Sequence, residues 1–206
     1  MLDTRYLILK IMSHLKFNPR TLILILMILV ITVFRLLVTF NSDALQFANF
    51  SSIGAVALFG GAYFKDNIKA FIFPLLSLLL SDFVLYTTIY KQYADILLIR
   101  ETWTYLAIAL MVLAGRLMLK KVNLANLLSS TLVVVLIHWI VSDFGSWYKN
   151  PEFTQDLAGF WLCLQKAIPF EIRFLEGTLI YGAVLFGAFE ILKTKYPVLK
   201  LKTQKA

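Results

Sequence analysis

The sequence predicts an all-α integral membrane protein: a bundle of six transmembrane helices, both termini cytoplasmic, with a short interfacial helix before the last span. Three observations predict it. Of the 206 residues, 60% are hydrophobic and only 16% charged, where a soluble domain carries roughly a quarter; the mean hydropathy is +0.78. The apolar residues form segments of spanning length or slightly less, and backbone in lipid must satisfy its own hydrogen bonds, which makes each segment a helix. The basic residues gather in alternate polar runs and form no continuous patch, so the formal charge of +8 reflects the positive-inside rule and gives no reason to expect a nucleic-acid partner.

Residues 1–20 mix Leu7, Ile8, Ile11, Met12 and Leu15 with Arg5, Lys10, His14 and Lys16. This composition suits a basic amphipathic segment on the cytoplasmic membrane face, and equally a basic tail. The first span, Thr21–Phe40, follows Pro19-Arg20 and lacks an A-x-A exit, which marks a retained helix and not a cleaved signal. Ser51–Phe64 is short and rich in glycine; Ala70–Tyr90 contains Pro74; Thr102–Met118, Leu124–Trp147 and Phe174–Leu192 complete the six. Leu157–Ile168, ended by Pro169, is too short to span and is expected at the interface. The membrane domain is thus residues 21–192, followed by a basic cytoplasmic tail, 193–206.

Loop charge orients these helices. Arg5, Lys10, Lys16 and Arg20 precede the first; Lys65 and Lys69 follow the second; Arg116, Lys120 and Lys121 close the fourth; Lys193, Lys195, Lys200, Lys202 and Lys205 follow the sixth. The intervening loops carry no basic excess and are expected outside. On that topology Arg35, Asp82, His138, Asp143 and Glu176 all lie in the outer half, as do the four tryptophans, Trp103, Trp139, Trp147 and Trp161. A charge in a membrane helix is costly and calls for a partner or a function.

Residues four apart share a helix face. Asp82 aligns with Tyr86 and Tyr90, and Asp143 with Trp139 and Trp147, which suits stacking of a planar organic solute while carboxylates orient its polar edge. The expected substrate-binding residues are Asp82, Tyr86, Arg35, Asp143, Trp139, Trp147 and Glu176. The competing reading pairs Asp82 or Asp143 with Arg35 as a structural ion pair. Small residues on the second helix (Gly54, Ala57, Gly61) and on the last (Ala183, Gly187, in a stripe with Glu176, Ile180 and Glu190) point to close helix packing. His138 and Cys163 match no metal motif, the single cysteine excludes an internal disulfide, and no hydrolase, metalloprotease or phosphate-loop signature is present. No cofactor and no covalent chemistry are expected.

The run Asn49-Phe50-Ser51-Ser52-Ile53-Gly54-Ala55 through Phe59-Gly60-Gly61-Ala62-Tyr63-Phe64, then Pro74, Ser81-Asp82, Ala114-Gly115-Arg116, Asp143-Phe144-Gly145-x-Trp147 and Cys163 through Ala167-Ile168-Pro169-Phe170, resembles an uncharacterised family of small bacterial inner-membrane proteins. The resemblance covers most of the chain from about Arg20 to Phe189. More distantly, the six-helix size and glycine-rich second segment are similar to the substrate-binding S components of energy-coupling-factor vitamin transporters. That similarity implies uptake of a small organic solute such as a vitamin or precursor, by binding and reorientation in the bilayer, with an energising module as possible partner. The first helix, Leu-Ile-Leu-Ile-Leu-Met-Ile-Leu-Val, departs from the Ala-x-x-x-Ala pattern of S components that share such a module. A membrane scaffold subunit of a cell-envelope complex is the alternative.

Overall fold

The computed structural model describes residues 18–40, 51–88 and 94–200. All regular structure among them is helical: α1 (Pro19–Phe40), α2 (Ile53–Tyr63), α3 (Asn67–Thr88), α4 (Ala94–Met118), α5 (Leu124–Ile137), a π-helical segment (His138–Ser142), α6 (Asp143–Trp147), α7 (Leu157–Lys195) and a 3-10 turn (Pro197–Leu199). Four helices are long and apolar enough to cross a membrane: Pro19–Leu37, Asn67–Thr88, the rod Leu124–Trp147 that joins α5 to α6, and Leu157–Lys195. This is a membrane protein by that measure. Ile53–Tyr63 and Thr102–Met118 are shorter apolar helices. Most of the amphipathic segment 1–20, the loop 41–50 and Tyr90 lie outside the described residues.

The organising element is α2. At 11 residues it is about 16 Å long, half a bilayer core, and Gly54 to Gly61 together with Tyr63 are buried. Its small residues bring neighbouring backbones into contact. A Cβ on Gly61 would stand 2.2 Å from the Val112 carbonyl of α4, and one on Gly115 of α4 would stand 2.8 Å from the Leu58 carbonyl. On the α7 side, a Cβ on Gly54 would meet Thr178 Oγ1 at 2.3 Å. Expected packing of the Gly54, Ala57 and Gly61 face is therefore observed: without side chains between them, helices approach closely enough for dispersion to hold them.

Two arginines close the C-terminal end of α2. Arg20, only 6% exposed, donates Nη2 to Tyr63 O at 2.8 Å and Nη1 to Leu199 O; Arg116 donates to Phe64 O and Lys65 O at 3.1 and 2.9 Å. Cations at a helix C-terminus satisfy orphan carbonyls and oppose the negative end of the helix dipole. The tail is accordingly not free up to Leu199, whose side chain is fully buried. Tyr63 also donates its hydroxyl to Glu190, which holds Lys193 at 2.8 Å.

These contacts define a basic end, with Arg20, Tyr63, Arg116, Glu190 and Leu199. At the opposite, aromatic end, Phe144 lies 4.4 Å from Trp103, 5.3 Å from Trp147 and 5.9 Å from Phe160, centroid to centroid. Successive helices run alternately between the two ends. The 148–156 connection is tied down over the aromatic end: Trp147 Nε1 donates to Thr154 O at 2.8 Å, and Gln155 Nε2 donates to Trp147 O at 3.1 Å. Asp156 caps α7 by accepting from Gly159 N at 2.7 Å and from Thr154 Oγ1. Those two donors, the Gly159 amide first, hold its carboxyl below the usual carboxylate range.

Three expectations are corrected. The separate interfacial helix Leu157–Ile168 does not exist: α7 runs through Pro169 for 39 residues. Proline removes one backbone donor, but α7 is anchored on both sides of it, by the Trp139 indole donating to Leu164 O at 2.9 Å and by His138 on Glu171. Second, α4 begins at Ala94 and not near Thr102. Third, the small-residue stripe of the last helix faces away from the bundle. Ala183 and Gly187 are exposed, and a Cβ at Gly187 would meet nothing within 4 Å. The buried face is the other one, Glu171, Phe174, Thr178, Tyr181, Leu185 and Phe189, because its large side chains fill the space beside α2.

Candidate functional site

Hydrogen bonds and one ion pair assemble a polar layer across the bundle from residues that each sit singly in an apolar helix. Arg35 of α1 pairs with Asp82 of α3, Nη2 to Oδ1 3.6 Å, and donates Nη1 to Ser81 Oγ. A turn nearer the basic end, Thr32 of α1 bonds Ser77 of α3. Tyr105 of α4 donates to Asp82 Oδ2 at 3.4 Å. The preceding residue, Thr104, shares a hydrogen bond of 3.1 Å with Ser142, the last residue of the π segment. At the first residue of that segment, His138 Nδ1 lies 2.7 Å from Glu171 Oε1 of α7. Five helical rods are thus linked at one level.

Asp82 and Glu171, each 7% exposed, are the buried acidic residues among the described residues, Asp143 being half-buried with its Oδ2 also out of solvent, and the two are treated differently. Asp82 is surrounded by donors: Arg35 and Tyr105 reach its carboxylate directly. Glu171 uses Oε1 on His138, while Oε2 is buried and has no hydrogen-bond partner. The imidazole is held in place by stacking on Phe174, with centroids 4.0 Å apart and an interplanar angle of 13°. An orphan carboxylate oxygen in a bundle interior costs on the order of 1–3 kcal/mol or more, so its retention calls for a role.

Along the aromatic stripe read from the sequence, Trp139 lies in the π segment, and Asp143 and Trp147 are the first and last residues of α6. Trp139 is turned toward Leu164 of α7, Trp147 joins the aromatic cap with Phe144 and Phe160, and Asp143, half-buried, accepts the Cys163 thiol on its backbone carbonyl at 3.8 Å. Tyr86 is half-buried a turn beyond Asp82. Glu176 is exposed on the outer face of α7, set apart from the polar layer by the helix's own orientation. Of the expected binding residues, the structure brings Arg35 and Asp82 together.

Glu171 was missed because it lies between Pro169 and Arg173, where hydropathy reads a loop; its three-residue spacing to Phe174 was the available signal of a shared buried face. His138 carried the opposite signal, a lone imidazole in a strongly apolar helix. The pair supplies two metal-ligating side chains, and no group of three His, Cys, Asp or Glu residues able to hold a metal ion forms among the described residues.

The model of a family described as a family of unknown function, DUF6580, matches residues 15–199. No curated protein matches, and no solved structure does. The chain belongs to the DUF6580 family.

Proposed function

We propose that this DUF6580 protein is a substrate-binding membrane subunit that captures a small organic solute, such as a vitamin or precursor, and passes it inward by reorientation in the bacterial inner membrane. The observation that carries the reading is the polar layer Arg35, Asp82, Tyr105, Ser142, His138 and Glu171, built from five helical rods inside an apolar bundle. Each such group is expensive in lipid, and a bundle that needed only to pack would do so without them. Apolar and aromatic surface next to a few polar groups is the common composition of solute sites, and Trp103, Phe144 and Trp147 supply it at the same end. The proposed orientation has the basic end and both termini cytoplasmic, six crossings in all, and the aromatic end outside; support comes from Arg116, Lys120, Lys193 and Lys195 gathering at one end. The mechanism is binding without covalent chemistry, similar in manner to the S components.

The test is native mass spectrometry of the full chain released from membranes in mild detergent. A retained organic molecule, lost in the Asp82→Asn variant while that variant stays folded, is the expected result. The scaffold reading is favoured by one observation, the outward stripe of Ile180, Ala183 and Gly187 on α7, whose small residues are able to seat a partner helix. It predicts a retained membrane protein and no organic solute, and that outcome overturns the first reading.

A further inference from the structure

We propose that His138 and Glu171 form a proton-binding site: the pair holds one proton between imidazole and carboxylate and exchanges it with water in the course of the protein's working cycle. The inference concerns how reorientation would be driven, and it is read on the protein alone, whatever the solute.

The geometry restricts what the pair can bind. The Nδ1–Oε1 contact of 2.7 Å and the 8% exposure of the Glu171 side chain leave one proton shared along a short hydrogen bond. With that proton present the pair is net neutral, whether written as imidazolium and carboxylate or as imidazole and carboxylic acid. Removing it leaves one negative charge on a buried carboxylate whose Oε2 has no donor; adding a second leaves one positive charge. Both changes are costly in a low-dielectric interior, so each has to be matched by a structural change that admits water or brings a partner. Two ligating side chains are too few for a metal site, and the stacked Phe174 ring covers one face of the imidazole, so a proton fits where a bulkier occupant meets aromatic carbon. The His138 side chain is 21% exposed, more than twice the figure for Glu171, and its Nε2 has no hydrogen bond among the described residues, which makes the imidazole the entry point.

The surroundings are consistent with one isolated exchangeable proton. On α7, Arg173 and Glu176 are exposed on other faces of the helix, and Lys166 stands over the Phe153 ring at 5.0 Å. On the rod, Asp143 lies beyond the π segment, with the Cys163 thiol on its carbonyl. From α4, Tyr105 faces Asp82 and, through it, Arg35. The α2 helix brings Tyr63 alone, at the basic end. The element poised to respond is the π segment itself: His138 is its first residue and Ser142, bonded to Thr104, its last. Single π turns within α-helices are frequent at functional sites, and loss of the His138–Glu171 bond removes one of the two side-chain ties to α7, leaving the Trp139 indole on Leu164 O.

The chain has two histidines, His14 and His138, so His14→Gln leaves His138 as the sole imidazole. Nitrogen-15 NMR of the histidine-labelled full chain in lipid nanodiscs then reads its protonation directly. The expected result is a reversible, pH-dependent change in the His138 ring nitrogens that Glu171→Gln alters. If Glu171→Gln does not fold, Glu171→Asp serves. An imidazole that keeps one protonation state throughout, or one whose response is the same in the Glu171 variants, overturns the proposal and leaves a static structural pair. Neither outcome depends on whether a solute is ever found.

Discussion

Asp82 faces the most instructive choice in the molecule, because the same carboxylate is needed to neutralise Arg35 and is the residue placed best to meet a solute. Geometry says that it is engaged: Arg35 at 3.6 Å and Tyr105 at 3.4 Å. Removing one charge leaves the other in the interior, which for buried pairs costs roughly 3–5 kcal/mol; the lower end applies here because Arg35 keeps 19% of its side-chain exposure. Asp82→Asn is therefore expected to lower unfolding stability by roughly 3 kcal/mol, measured by denaturant titration in detergent micelles. The double variant Arg35→Met/Asp82→Leu should recover most of that loss, since apolar replacements remove both desolvation costs together. If the double variant is as unstable as the single, the pair is not the source of the effect. A double variant that is stable yet carries no solute in native mass spectrometry places Asp82 in binding as well as in packing.

At the scale of elements, α2 and α7 show opposite uses of the same residue type. Gly61 and Gly115 sit where backbone meets backbone, so an added methyl has nothing flexible to displace. Gly61→Ala is expected to cost about 1–3 kcal/mol of stability, against at most about 1 kcal/mol in either direction for Gly187→Ala, whose Cβ enters open space. Thermal unfolding of the two variants side by side decides it; equal losses would mean that α7 packs on something through its outer face. The sequence made the α2 side legible, because a run of glycine and alanine in an apolar helix has few other uses. It misled for α7, where Glu176, Ile180, Ala183 and Gly187 make a consistent stripe whose direction depends on which neighbours fill the other side. Hydropathy marked the apolar cores of the helices but not the start of α4 at Ala94, nor the passage of α7 through Pro169, since the compensation comes from Trp139 and His138 on a different helix. The π segment was likewise invisible: no local propensity marks His138–Ser142, and its side chains bond to residues distant in sequence, His138 to Glu171, 33 positions away, Trp139 to Leu164 and Ser142 to Thr104.

For the whole molecule, the arrangement of ends is the property on which the proposed function depends. The rod Leu124–Trp147 has 24 residues, about 36 Å, enough to carry Lys120 and Glu152 to opposite faces of a bilayer. Both residues are exposed, whereas the native Cys163 is 4% exposed with its thiol donated to the Asp143 carbonyl. In a Cys163→Ala background, single cysteines at Lys120 and Glu152 then report on one side each. A membrane-impermeant maleimide applied to intact cells should label Glu152→Cys, and should reach Lys120→Cys only after permeabilisation. The reverse pattern turns the protein over, putting the aromatic end and the polar layer beneath it on the cytoplasmic side, where capture from outside has no route. Labelling of both from one side would mean that the rod does not cross at all, and the polar layer would then lose the low-dielectric setting that makes its charges costly. Positive-inside bias argues for the first pattern, because Arg116, Lys120 and Lys121 precede the rod, whereas Lys149 is the single basic residue between the rod and Asp156.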